Sequence, residues 1–129
     1  MQKQPILQYR IIRTALVTGV VLFGLIVWYL SGQRTIEPLE PGLVRALQLA
    51  FGGLAVGGLT AVAIVRSAQS KAKTIGQQGT FAVVGWAVGE GIALFGGVIY
   101  LLTAAPALYL VGLVVFLATL VMVPAPEAP

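Results

Sequence analysis

Residues 85–97 of this chain read GWAVGEGIALFGG and place one carboxylate inside an apolar, glycine-rich run. The run belongs to a hydrophobic segment, about residues 80–102, that is long enough to cross a bilayer as a helix. Three further segments of this kind lie at about residues 13–30, 43–65 and 107–123. The sequence therefore predicts an all-α fold, an integral membrane bundle of four transmembrane helices in a single domain that covers residues 1–129.

The composition favours lipid as the solvent of this domain. Of the 129 residues, 58% are hydrophobic and only 9% are charged, a balance that does not suit a water-soluble core of this size. The chain has no cysteine, histidine or aspartate, and its carboxylates are Glu37, Glu40, Glu90 and Glu127. These counts exclude thiol nucleophiles, Cys/His metal sites and haem ligation by histidine. We therefore expect a protein that is not an enzyme and has no cofactor.

Basic residues cluster at what would be one end of the bundle. Six of the eight lie before or at the start of the first segment or between the second and the third: Lys3, Arg10, Arg13, Arg66, Lys71 and Lys73. Because cytoplasmic segments are enriched in Lys and Arg, we expect a multi-pass protein of the inner membrane with both termini in the cytoplasm. Binding of specific lipids or nucleic acid is the alternative interpretation of these clusters, although no other feature speaks for nucleic acid.

Aromatic residues are expected at the opposite end. Trp28, Tyr29, Tyr100 and Tyr109 all fall where the second membrane interface should be. They predict half of an aromatic belt.

Small residues recur along one face of two predicted helices. In the second segment they follow spacings of three and four, and in the third they recur every four residues; the predicted interface comprises Gly53, Gly57, Gly85, Gly89, Ala93 and Gly97. In lipid, no hydrophobic driving force brings helices together, so their association depends on close packing. Faces of small residues allow this packing, because they let two backbones approach closely. We expect the second and third helices to pack tightly, on each other or on a partner protein.

Glu90 lies about half way through its predicted helix, near the bilayer midplane. Burial disfavours the charged carboxylate, so we expect a protonated acid at neutral pH. One interpretation is a structural clasp, in which Glu90 donates to a backbone carbonyl or to the hydroxyl of Thr18 or Thr60. The other is a reversible carrier of protons or ions, because intramembrane carboxylates mark ion pathways.

The first and third segments are similar to each other. Residues 15–30 align with residues 87–102 after a shift of 72, and Thr18 then falls on Glu90. The alignment predicts two duplicated helical hairpins of like orientation, with chance similarity between apolar helices as the alternative.

Residues 90–102, EGIALFGGVIYLL, resemble the carboxylate-bearing helix of the proteolipid (c) subunits of rotary ATPases. In that family a glutamate among small residues precedes an aromatic-glycine step and an aliphatic run. The resemblance covers about one helix, and it implies that Glu90 is an ion-carrying carboxylate. This chain differs in placing the acid on the third of four predicted helices.

Three functions follow as expectations. The first is a non-enzymatic small subunit of a larger membrane complex, of the respiratory, photosynthetic or ATP-synthesising kind, which binds other membrane subunits through its glycine faces. The second is an ion-translocating proteolipid with Glu90 as the carrier. The third is a small channel or transporter with a site between the hairpins. Membrane lipid is a partner in each.

Overall fold

The computed structural model of the chain describes residues 3–33 and 39–124, with side chains from residue 7 onward. Within these residues the chain forms four α-helices, which confirms the predicted all-helical fold: α1 Lys3–Gln33, α2 Pro41–Lys71, α3 Ile75–Thr103 and α4 Ala107–Met122. Both chain ends, which were expected in the cytoplasm, lie outside the described residues.

Three of these helices, α1, α2 and α3, are long and apolar enough to cross a membrane. Helix α4 is also apolar but has only 16 residues. At 1.5 Å per residue it measures about 24 Å, somewhat less than the roughly 30 Å of a hydrocarbon core. Proline limits it on both sides, since Pro106 precedes its first residue and Pro124 follows its end.

The connection between α2 and α3 is shorter than the polar stretch of residues 66–79 that separates the second and third predicted segments. Helix α2 continues to Lys71, and α3 begins at Ile75. Thr74 caps α3, because its Oγ1 accepts a hydrogen bond from the backbone N–H of Gln77 at 3.1 Å. The polar residues between the two predicted segments therefore mostly extend the helices beyond their apolar parts.

Helix α3 lies at the centre of the bundle and contacts all three other helices. Helix α4 packs most extensively against α3, as the short connection between them predicts. Within the described ranges, helices α1 and α2 make no close contact with each other. The packed pair of α3 and α4 thus has no counterpart in α1 and α2, unlike the arrangement that a duplicated hairpin requires.

The buried side chains gather around α3. The largest fully buried ones include Trp86 and Ile92 of α3, Val20 of α1, Val62 of α2 and Phe116 of α4. By contrast, many large apolar residues of α1 and α2 are uncovered by protein, including Leu22, Leu49 and Val56. This distribution is that of a bundle whose outer surface meets hydrocarbon rather than water.

The two ends of the bundle differ in chemistry. At the basic end, α1 and α3 begin and α2 and α4 end, and the described basic residues there are Arg10, Arg13, Arg66, Lys71 and Lys73. At the aromatic end lie the four residues expected to form a belt. Trp28 and Tyr29 are exposed there, but Tyr100 and Tyr109 are buried inside the bundle, where their rings lie 6.3 Å apart.

Candidate functional site

Glu90 lies half-buried in the middle of α3. Thr18 on α1 and Thr60 on α2 are both exposed, and Thr60 donates its hydroxyl to the carbonyl of Val56 in its own helix at 2.9 Å. No hydrogen bond or ion pair joins Glu90 to Thr18, Thr60 or any other residue in the described ranges. The polar contacts between helices are made by other groups.

Helix α3 uses its small residues to pack against α4 and α1. A side chain at Gly85 would come within 3.1 Å of Val123, and one at Gly89 would overlap Thr119. Gly97 likewise faces the ring of Phe23 from α1. The space beside each of these glycines is therefore occupied by a side chain from α1, from α4 or from the residue that follows α4.

Glycines bring the backbones of α3 and α4 close together in the first half of α4. A Cβ atom built at Gly96 would meet the carbonyl oxygen of Leu108 at 2.6 Å, and one built at Gly112 would meet the Cα of Ala93 at 2.9 Å. These positions therefore require glycine for steric reasons. This backbone approach joins α3 to α4, and it involves Gly96 and Gly112, which the predicted interface did not include.

The small-residue face of α2 points away from the bundle. Gly53 and Gly57 are exposed, and nothing described lies within 4 Å of a Cβ atom built on either of them. The face that packs on α3 carries Phe51, Gly58 and Val62 instead, and a Cβ atom at Gly58 would meet Ile92 at 2.6 Å. Of the two alternatives expected for this face, packing of Gly53 and Gly57 on α3 is not seen, and contact with a partner protein stays a prediction.

The C-terminal end of α4 is held by one side chain from each of the other helices, an arrangement that the sequence patterns did not indicate. We call these three side chains the C-terminal clamp. They donate hydrogen bonds to backbone carbonyls of α4 and of the two residues after it: Arg13 to Leu120 at 3.3 Å, Gln69 to Pro124 at 3.0 Å and Trp86 to Val123 at 2.7 Å.

The clamp has a clear physical reason. The last carbonyls of a helix lack donors from a following turn. In addition, the carbonyl of Leu120 would normally accept from residue 124, which is a proline and has no N–H. The guanidinium of Arg13 supplies that donor, and it also lies 5.9 Å from the centre of the Trp86 ring. The one signal in the sequence was the proline after α4, since Gln69 lies in the largely polar run of residues 66–71 and nothing in the pattern marks it as buried.

A second polar contact joins α4 to α1 at the aromatic end. The hydroxyl of Tyr109 donates to the carbonyl of Val20 at 2.8 Å, and both residues are buried. Gly24 makes this possible, because a side chain there would overlap the Tyr109 ring. The tyrosine predicted for the membrane interface therefore joins two helices instead.

The described residues contain no cluster of His, Cys, Asp and Glu that could hold a metal ion. Glu40 and Glu90 are the carboxylates within them, and Glu37 and Glu127 lie outside. Comparison with family models, with curated proteins and with solved structures found no match to this chain. The geometry of the helices is therefore what supports a function.

Proposed function

We propose that the protein is a small, non-enzymatic subunit of a larger membrane complex and that it binds a transmembrane helix of another subunit through α2. The observation that carries the proposal is the outward face of α2. Gly53 and Gly57 are open there, with no described atom within 4 Å of the position that a Cβ atom would take on either of them.

The rest of the bundle supports this proposal by contrast. On α3, the same pattern of small residues is covered by side chains and backbone of α4 and α1. In lipid, a smooth face of this kind adds stability only when another helix lies close against it, through dispersion and Cα–H contacts. An uncovered face on α2 is therefore what a helix from a partner subunit would fill.

The test is co-purification in mild detergent from the native membrane, with Gly57→Leu as the disrupting variant. The matched control is Gly52→Leu, since Gly52 is equally open but lies about 140° around the helix from Gly57. We expect the wild type and the control to retain a partner at a fixed ratio and Gly57→Leu to lose it. A chain that purifies alone, or equal retention by both variants, contradicts the proposal.

For the orientation in the membrane, we propose that the basic end faces the cytoplasm and that the membrane is the inner one. The clustering of Arg10, Arg13, Arg66, Lys71 and Lys73 at one end supports this orientation. Because the chain has no cysteine, single cysteines can report it. We expect a cysteine at Lys73 to be protected from an impermeant thiol reagent in intact cells and a cysteine at Arg45 to react; the reverse pattern would refute the orientation.

A second candidate function is ion or proton translocation by Glu90. It is favoured by the position of this half-buried carboxyl in the middle of α3, with no described hydrogen-bond partner. A carrier predicts that a hydrophobic carbodiimide modifies Glu90 selectively, that bound ion slows the modification and that Glu90→Gln abolishes transport. If Glu90→Gln leaves transport and assembly unchanged, the carboxyl is not a carrier.

A further inference from the structure

A cavity of about 730 Å³ opens between the end of α2 and the start of α3, at the basic end of the bundle. Its volume falls within the roughly 300–1,000 Å³ of ligand pockets. Its lining residues combine polar and apolar types and come from both helices and the turn, among them Ala68, Lys71, Thr74 and Phe81.

The polar side of this cavity is rich in donors. Lys71 is exposed and has no ion-pair partner among the described residues, and Lys73 lies two positions further along the turn. The Oγ1 of Thr74 accepts from the N–H of Gln77, which leaves its hydroxyl hydrogen available. No described carboxylate lies nearby, since Glu40 is at the other end and Glu90 is about 20 Å further along α3. Among the described residues, an anion would therefore meet donors and positive charge and no carboxylate.

The apolar side of the cavity continues toward the hydrocarbon. Ala68 lies one turn before the end of α2, and Phe81 lies almost two turns into α3. A free phosphate ion would use only the polar rim. A phospholipid would place its phosphate at the rim and an acyl chain along the wall that Phe81 forms.

We propose that this cavity binds an anionic phospholipid, with Lys71 and Thr74 at the headgroup and Ala68 and Phe81 along an acyl chain. The site is independent of the face of α2 assigned to a partner helix, because Gly53 and Gly57 do not line the cavity. Its failure would therefore leave the proposed subunit function untouched.

The test is native mass spectrometry of the full chain from mild detergent, titrated with phosphatidylglycerol or with phosphatidylcholine. We expect phosphatidylglycerol to bind more tightly, and Lys71→Gln to weaken it about fivefold, which corresponds to the roughly 1 kcal/mol per basic residue near an anionic surface. Arg10→Gln is the matched control, because it removes the same charge at the same end from an exposed position on α1 outside this cavity.

A second variant separates the shape of the site from its charge. Ala68→Phe fills the apolar side and keeps every charge, so we expect it to abolish the preference for phosphatidylglycerol. Equal loss of binding in Lys71→Gln and Arg10→Gln would overturn the proposal, as would unchanged binding in Ala68→Phe. Displacement of phosphatidylglycerol by inorganic phosphate at equal concentration would overturn the assignment to a lipid.

Discussion

Replacement of Gly89 by alanine tests the packing of α3 on α4 most directly. The added Cβ atom would overlap the Oγ1 of Thr119 and lie 2.9 Å from its Cγ2. Thr119 is fully buried, and its hydroxyl donates to the carbonyl of Phe116 at 2.7 Å. The threonine can move away only by losing this hydrogen bond and pushing on its neighbours. Overpacking of this kind costs about 1–3 kcal/mol.

The matched control is Gly91→Ala, two residues along the same helix. Gly91 is exposed, and nothing described lies within 4 Å of a Cβ atom built there. Both substitutions gain the same helix propensity, up to about 1 kcal/mol, so it cancels in the comparison. We therefore expect Gly89→Ala to be about 1–3 kcal/mol less stable than Gly91→Ala, measured by circular dichroism during titration with sodium dodecyl sulfate in mixed micelles.

A double variant identifies the partner of Gly89. Thr119→Ala removes both of the closest atoms and leaves the Cβ of residue 119 as the nearest, at 3.1 Å. Gly89→Ala should then cost little stability in the Thr119→Ala background. The double variant should therefore be about 1–2 kcal/mol more stable than the sum of the two single effects indicates. If the two glycine variants unfold alike, or if Thr119→Ala gives no rescue, α4 does not lie against this face of α3.

Three further predictions concern the polar contacts between helices, measured in the same titration. Tyr109→Phe should lower stability by only about 0.6 kcal/mol, because the carbonyl of Val20 keeps its bond within the helix. Trp86→Phe should cost more, about 1–3 kcal/mol, because the carbonyl of Val123 lies beyond the end of α4 and loses its described donor. Gln69→Leu should cost a similar amount, because the carbonyl of Pro124 also lies beyond the end of α4 and loses its described donor, whereas the carbonyl of Gln78 keeps its bond within α3. A loss equal to that of Tyr109→Phe in either case would contradict the clamp.

The sequence predicted the number, type and order of the helices well, because each apolar segment is long and bounded by polar or proline-containing residues. Helix ends were less predictable. Residues such as Ser67, Lys71 and Gln77 are polar enough for a loop, yet they lie in helices. Hydropathy reports which part of a helix lies in the hydrocarbon. The helix itself extends further, into the interface, as far as a capping residue such as Thr74, which marks the start of α3.

The direction in which each helix faces could not be predicted in the same way. In water, a buried face differs from a solvent face in polarity, but in lipid both faces are apolar. The stripe on α2 and the stripe on α3 look alike in sequence, and only the one on α3 is covered. Similarly, nothing in the pattern separated Tyr109, which is buried, from Tyr29, which is exposed.

The rare buried polar side chains account for the orientation of α2. Gln69 donates to the carbonyls of Gln78 and Pro124 at 3.1 and 3.0 Å and accepts from Arg66 at 3.2 Å. A helix rotated to place Gly57 on α3 would turn Gln69 away by about 120°, and both carbonyls would lose its amide as a donor. The carbonyl of Pro124, which no following helical turn supplies with a donor, would then lack its described hydrogen bond, and this cost opposes the rotation. Gln69, near the C-terminal end of α2, therefore faces the bundle, and Gly53 and Gly57 on the same helix remain uncovered by the described residues.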